Sequence, residues 1–196
     1  MYADIQHVLI DRRRIARRVR ELAREITADL CPPGCRQPDE DLELTLVPIL
    51  TGSIIFLADL VRQLPVRMKL RLISVNSYPG PATRSQGVRL QRALSNLPAS
   101  LAGQQVLVVD DILDSGHTLQ AVTRLLQRRG PKWVRTCVLL DKKLPGRKVA
   151  ADYAGFAIPN KFVVGYGLDF DDHYRNLPDI VTLKPRVIAQ RQAAKS

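Results

Sequence analysis

Apolar residues recur at helical spacing near the start of the chain. Ile15, Val19, Leu22, Ile26 and Leu30 share one face of a 3.6-residue repeat, which predicts an amphipathic helix over residues 12–30, ended by Pro32, Pro33 and Gly34. Residues 42–50 form an apolar-rich strand candidate. Residues 52–64 read as a helix whose buried side comes from Ile55, Leu57, Leu60, Val61 and Leu64. Residues 68–77 read as a strand, alternating at first through Met68, Leu70 and Leu72. Residues 78–87 are polar and carry two Pro and two Gly, so they form a mobile loop, with a short strand over residues 88–94 returning from it. Residues 106–109 are continuously apolar and Val-rich, as in a strand buried on both faces. Leu119, Val122, Leu125 and Leu126 mark a helix ending at Gly130, and residues 133–140 are a second buried strand. Residues 162–166 and 180–183 are further strand candidates, and residues 186–196 a polar tail or frayed helix. Alternating strands and helices with continuous apolar strands predict an α/β fold with a largely parallel central sheet.

Length and composition narrow this picture. A chain of 196 residues suits a single domain, residues 1–196, with no internal repeat, low-complexity tract or linker. Hydrophobic residues make up 45%, enough for a core, but no run approaches the roughly 18 apolar residues of a membrane span. The first residues hold no apolar stretch leading to a small-residue cleavage site, so a cytoplasmic protein is expected. Lys and Arg number 30 against 19 Asp and Glu, a net charge of +11 that favours anionic partners: phosphorylated metabolites, nucleic acid or an acidic surface. Arg12, Arg13, Arg14, Arg17, Arg18, Arg20 and Arg24 concentrate part of that charge on the first helix, where a solvated face is the plain reading. Cys31, Cys35 and Cys137 suggest neither a disulfide framework nor a zinc site, and His7, His117 and His173 are scattered.

The chemistry concentrates after the strand at residues 106–109. Asp110 and Asp111 stand at its end, followed by Asp114-Ser115-Gly116-His117-Thr118 and a helix. Ligands of open parallel sheets bind beyond the carboxyl ends of the strands. Free backbone N–H groups at a helix start, with the Ser115 and Thr118 hydroxyls, make a phosphate cradle, and Gly116 allows close backbone approach. Asp110 and Asp111 suit sugar hydroxyls, directly or through magnesium. Capping by Asp114 or Ser115 would explain one such residue, but not two more carboxylates at the end of an apolar strand, where an unpaired charge is costly. Neither a nucleoside-triphosphatase P-loop nor a dinucleotide fingerprint occurs; Gly165-Tyr166-Gly167 lacks the rest of the latter.

Residues 109–119 resemble the phosphoribosyl-pyrophosphate (PRPP) signature of type I phosphoribosyltransferases. Residues 50–60 resemble the family's pyrophosphate loop and following helix, and Ser77-Tyr78 resemble the opening of its mobile catalytic loop over residues 77–87. Residues 159–178, with Lys161-Phe162-Val163 and Asp169, resemble the base-binding segment of hypoxanthine(-guanine) phosphoribosyltransferases. The resemblance spans roughly residues 40–183, with the motifs in family order. It implies the type I fold: a mostly parallel central sheet flanked by helices, with a small hood built from terminal segments and a purine-binding stretch over about 142–183.

The resemblance also implies an activity and a division of labour. Hypoxanthine, and guanine, would react with PRPP to give the nucleoside monophosphate and pyrophosphate in purine salvage. Asp114, Ser115, Gly116, His117 and Thr118 would hold the 5′-phosphate; Asp110 and Asp111 the ribose hydroxyls and their magnesium. Asp114 would exchange a proton with purine N7 as N9 attacks C1′. Thr51 and Gly52 would meet pyrophosphate, at a position where the family has a non-proline cis peptide, and Arg175 would neutralise the leaving group with Mg2+. Phe162 would stack on the purine, Val163 would offer backbone atoms to its edge, Lys142 would donate to O6, and Asp169 would lie near a second metal and the C2 side. Thr51 stands where some relatives carry Lys or Arg, and His117 departs from the more usual residues beside the phosphate and would add pH dependence. A homodimer or homotetramer is implied. The alternatives are an RNA-binding regulator on the same fold, which the +11 charge favours, and a catalytically inactive homologue, which the presence of Asp114 opposes.

Overall fold

A computed structural model describes residues 1–31, 42–74 and 97–193. A single 3-10 turn at Tyr2–Asp4 leads into β1 (Ile5–Ile10), and α1 (Arg12–Leu30) follows with the bounds predicted from its periodicity. Asp11 caps α1: its carboxylate accepts from the backbone N–H groups of Arg13 and Arg14 at 2.9 and 3.0 Å. Ile15, Val19, Leu22, Ala23, Ile26 and Leu30 are buried, and each large aliphatic side chain among them contributes about 1.5–3 kcal/mol.

The remaining elements are β2 (Glu43–Leu50), α2 (Ile54–Val61), β3 (Arg67–Leu70), β4 (Ile73–Ser74), β5 (Gln105–Leu113), α3 (His117–Gln127), β6 (Trp133–Lys142), β7 (Tyr153–Ile158), β8 (Ile180–Leu183) and α4 (Pro185–Ala193). Among the described residues the central sheet runs β3-β2-β5-β6-β7, with β4 also on β2, and every pairing is parallel. Alternate side chains face opposite layers. Leu44, Leu46, Leu107 and Val109 pack with α1 and α2, whereas Val47, Val106 and Val108 pack with α3. The termini form the predicted hood: β1 pairs antiparallel with β8, and Val164, Tyr174, Leu177, Val181 and Leu183 fill a third small core.

Several expectations are corrected. The strand expected from residue 68 is split into β3 and β4, and the break lies opposite Val47–Pro48, where Pro48 has no N–H for a ladder. Leu70 and Leu72 are exposed, so their alternation belongs to a sheet edge. Of the residues expected on the buried side of the helix over 52–64, Leu57, Leu60 and Leu64 are buried, but Ile55 is 39% exposed and Phe56 takes a core position in its place. Residues 162–166 are not a strand, because Gly165, Tyr166 and Gly167 all have positive φ; only an isolated bridge joins Val164 to Val181. Of the two readings of residues 186–196, a polar tail or a frayed helix, the described residues bear out the helix, which runs to Ala193 and is opened by Pro185. β1 and β7 were not predicted. The segment holding Cys35, the loop expected over 77–87 with Ser77 and Tyr78, and the strand expected over 88–94 lie outside the described residues. Cys31 and Cys137 are free thiols, and no described helix is long and apolar enough to cross a membrane.

β7 ends the sheet, and Arg18 covers it. The Arg18 guanidinium donates to the Gly155 and Ala154 carbonyls at 2.9 and 2.8 Å and pairs with Glu21 and Glu25. Arg18→Ala is expected to lower stability by about 2 kcal/mol, because charged hydrogen bonds to strand carbonyls are lost. Arg20→Ala on the exposed face should stay within about 0.5 kcal/mol. Equal losses in urea unfolding would show that the Arg18 contacts do not hold α1 to the sheet.

Candidate functional site

The parallel register of β5 and β6 builds the centre of the site. Leu113 is level with Asp141, so Asp114 and Lys142 leave their strands side by side at the carboxyl edge of the sheet. The Lys142 ammonium donates to Asp114 Oδ2 at 2.7 Å; Lys142 is 11% exposed and Asp114 52%. Lys142 is therefore not a solvated surface lysine. Gly116 then turns the chain at φ 82° into α3, with no side-chain cap from Asp114 or Ser115. Ser115 and His117 are exposed and Thr118 is half-buried at the start of that helix.

Asp110 and Asp111 do not end the strand as expected but lie within β5, which continues through Ile112 to the buried Leu113; Asp110 is buried and Asp111 half-buried. Asp111 N–H donates to Asp110 Oδ1 at 3.0 Å. Burial raises the Asp110 carboxyl well above its ordinary value, and the neighbouring Asp111 charge raises it further. Burial also raises Asp111, although hydrogen bonds and the Arg175 charge work against the shift. The ligand-free pair therefore retains a proton more readily than two solvated carboxylates.

The loop after β2 lies against this pair. The Leu50–Thr51 peptide is cis, one bond before the Thr51–Gly52 position expected. A Cβ on Gly52 would overlap the Asp111 carboxylate, and a Cβ on Gly167 would overlap the Gly52 carbonyl. Gly167 thus packs the hood directly on the 51–53 turn. Arg175 donates to the Gly167 carbonyl at 2.9 Å and pairs with Asp169 and Asp172 at 3.0 Å each. Tyr166 donates its hydroxyl to Asp59 on α2 at 2.5 Å. Burial, then the hydrogen bond to Asp59, pushes the Tyr166 phenol up.

Phe162 is 48% exposed, with its ring edge-on to Phe170 at 5.3 Å between centroids, so it is an exposed aromatic face rather than strand core. Val163 is buried beside it. Asp110, Asp111 and Asp169 do not gather into one centre: among the described residues no three His, Cys, Asp or Glu side chains could hold a metal together. The Asp110–Asp111 oxygens nevertheless suit a hard divalent cation that brings its other ligands from water or phosphate.

Residues 8–171 match the phosphoribosyl transferase domain model. A hypoxanthine-guanine phosphoribosyltransferase from Mycobacterium avium is 43% identical over 188 residues, which cover 95% of this chain and 90% of that protein. The chain belongs to the hypoxanthine-guanine phosphoribosyltransferase family. A Listeria innocua bifunctional protein TilS/HprT is 39% identical over 192 residues; these cover 97% of this chain and 28% of that longer protein. The solved structure of Trypanosoma cruzi hypoxanthine phosphoribosyltransferase in complex with the product IMP aligns with a TM-score of 0.78 at 38% identity, covering 98% of this chain and 97% of that one.

This hypoxanthine-guanine phosphoribosyltransferase family member carries further site contacts that its sequence did not reveal. They are the Tyr166–Asp59 bond, the Gly167–Gly52 contact and an Arg147–Asp141 pair beneath Lys142. Of these residues, only the glycines at 165 and 167 stand out in the sequence, and they lack the rest of a dinucleotide fingerprint.

The buried acidic pair gives a pH prediction. A carboxyl whose folded pKa exceeds its unfolded value carries no penalty below that unfolded value, 3.8 here, and a growing penalty as pH rises through the folded one. Asp110→Asn keeps the shape and the acceptor for Asp111 N–H. It should raise the melting temperature of ligand-free protein at pH 8 by at least about 2 °C, with the gain shrinking toward pH 4. A lower melting temperature at pH 8 would mean the pair is not strained by its charge.

Proposed function

We propose that the chain transfers the 5-phosphoribosyl group of PRPP to N9 of hypoxanthine and of guanine, forming IMP and GMP and releasing pyrophosphate. The observation that carries this reading is the Lys142–Asp114 pair beside the α3 start. A 6-oxopurine presents O6 and N7–H on adjacent positions of one edge. An ammonium and a carboxylate held 2.7 Å apart complement that edge, O6 accepting from Lys142 and N7–H donating to Asp114. Adenine would set a 6-amino donor against the ammonium, which disfavours it.

In this mechanism N9 forms a bond to C1′ as the C1′–oxygen bond to pyrophosphate breaks, and the N7 proton passes to Asp114. The backbone and side chains of Ser115, Gly116, His117 and Thr118 bind the 5′-phosphate at the helix start. Asp110 and Asp111 orient the ribose hydroxyls. Thr51 and Gly52 bind pyrophosphate, and Arg175 neutralises its charge. Phe162 stacks on the base, Val163 presents backbone atoms to it, and Asp169 lies toward the C2 side. By its resemblance to the family's mobile catalytic loop, the segment over residues 77–87 that Ser77 and Tyr78 open would close over the site and exclude water. Mg2+, held by Asp110 and Asp111 with Asp169 toward a second ion, would supply charge neutralisation for the departing pyrophosphate. The free thiols support a cytoplasmic setting. Ile54 and Ile55, exposed on α2, support assembly as a homodimer or homotetramer. The RNA-binding and inactive alternatives are not favoured beside an intact Asp114–Lys142 pair.

Pyrophosphate release from PRPP and Mg2+, measured in parallel with hypoxanthine, guanine, xanthine, adenine and uracil, tests the proposal. Turnover is expected with hypoxanthine and guanine, and Asp114→Asn should lower kcat about 100-fold, the scale of a lost proton acceptor. Turnover with uracil or adenine alone, or none by protein that binds PRPP, would refute it. Phe162→Ala should raise the purine KM about 10-fold, the scale of one lost base–aromatic stack, and leave PRPP binding unchanged. An unaltered purine KM would remove Phe162 from the base site.

A further inference from the structure

The Asp114–Lys142 pair rests on a buried guanidinium outside the motifs of the sequence. Beyond Lys142 the chain turns through Leu144, whose N–H donates to the Lys142 carbonyl, and Gly146 at φ 75°. Arg147 then returns beneath the pair, 8% exposed. Its Nη1 donates to the Lys142 carbonyl at 2.8 Å and the Leu113 carbonyl at 3.0 Å, with the Asp114 carbonyl at 3.3 Å. Its Nε donates to the Val149 carbonyl at 2.8 Å, and its Nη2 to Asp141 Oδ1 at 2.5 Å.

Those acceptors lie where the β5–β6 ladder stops. Leu113 and Asp141 are the last residues paired between β5 and β6, so beyond them the two strands no longer bond to each other, although Lys142 still pairs with Ile158 of β7. One planar fork spans both chain ends and fixes their separation. Asp141 accepts from Nη2 alone, whereas the Leu113, Asp114 and Lys142 carbonyls accept from Nη1. Burial alone would raise the Asp141 carboxyl, but the Lys143 and Arg147 bonds together outweigh that and keep it below its ordinary value. An ammonium at position 147 could still reach Asp141, but it has no planar array of donors to span three carbonyls.

We infer that Arg147 is a positioning residue that sets the spacing and direction of Asp114 and Lys142 through their backbones, without touching substrate. This assignment rests on the roles proposed for those two residues at the purine edge. The guanidinium's carbonyl contacts among these segments are to Leu113, Asp114 and Lys142, behind the purine edge, and none is to the turn over residues 115–118 proposed to bind the 5′-phosphate.

Arg147→Lys and Asp141→Asn distinguish positioning from simple support. In Arg147→Lys, kcat/KM for hypoxanthine should fall at least 10-fold while the PRPP dissociation constant stays within threefold. Asp141→Asn leaves the guanidinium on the carbonyls, so its kcat/KM should stay within threefold even where its melting temperature falls as far. Equal losses of purine turnover and PRPP affinity in Arg147→Lys, no loss at all, or a 10-fold loss in Asp141→Asn would overturn the assignment. The Asp141→Asn comparison decides if Arg147→Lys does not fold. If the wild type turns over no purine, the functional reading fails by itself, and the crystal structure of Arg147→Lys still tests the positioning. A Lys142–Asp114 separation beyond 4 Å is expected; an undisturbed pair would overturn the inference.

Discussion

The register between two parallel strands governs the site. With Leu113 level with Asp141, the next residue on each strand is the one whose charge meets the other across the sheet edge. A slip of one residue would exchange which side chains face the core and which face the ligand. The apolar stretches fix that register: Leu107 and Val109 face one layer, Val106 and Val108 the other, and both layers are filled. Core packing and chemistry are thus set by the same ladder.

The same strand carries a local conflict. Burial raises both carboxyls of the adjacent pair, and the Asp111 charge raises Asp110 further, an arrangement that a search for stability alone would avoid. Gly52 lets the preceding loop come against Asp111, and Gly167 brings the hood against Gly52. Arg175, bonded to the Gly167 carbonyl, extends a positive charge toward Asp111. Three segments distant in sequence meet at the acidic pair because two of them lack a Cβ.

Legibility in the sequence followed locality. α1 was readable to its end residues because one apolar stripe and the Pro32-Pro33-Gly34 stop define it. Asp110, Asp111 and the Asp114–Thr118 turn were readable because strand, carboxylates and helix start are consecutive. Lys142 and Phe162 were suggested by family resemblance, and their exposures separated them from a solvated lysine and a core phenylalanine. β1 was missed because its partner, β8, lies at the other end of the chain. Residues 162–166 look like a strand by composition, but three consecutive positive φ angles turn them into a packed loop. Arg147 sits among charged neighbours, and only the fold shows that it is buried while Lys143 is exposed.

The hood is secured by polar contacts between the two ends of the chain, in addition to Ile10, Val163, Leu168 and Ile180, which join the core of the central sheet. The backbone N–H of Arg12, the first residue of α1, donates to Asp179 just before β8 at 2.7 Å, and Lys184 donates to the Ala3 carbonyl at the same distance. Tyr174 donates to Asp4 at 3.1 Å. These bonds join the hood to the start of α1, while Tyr166 and Gly167 join it to α2 and the 51–53 turn. The stretch carrying Phe162, Asp169 and Arg175 is therefore held at both ends, one tied to the helical layer and one to the loop beside the acidic pair. A purine stacked on Phe162 would meet a surface whose position is fixed relative to Asp111 by backbone contact, and relative to Lys142 by the sheet.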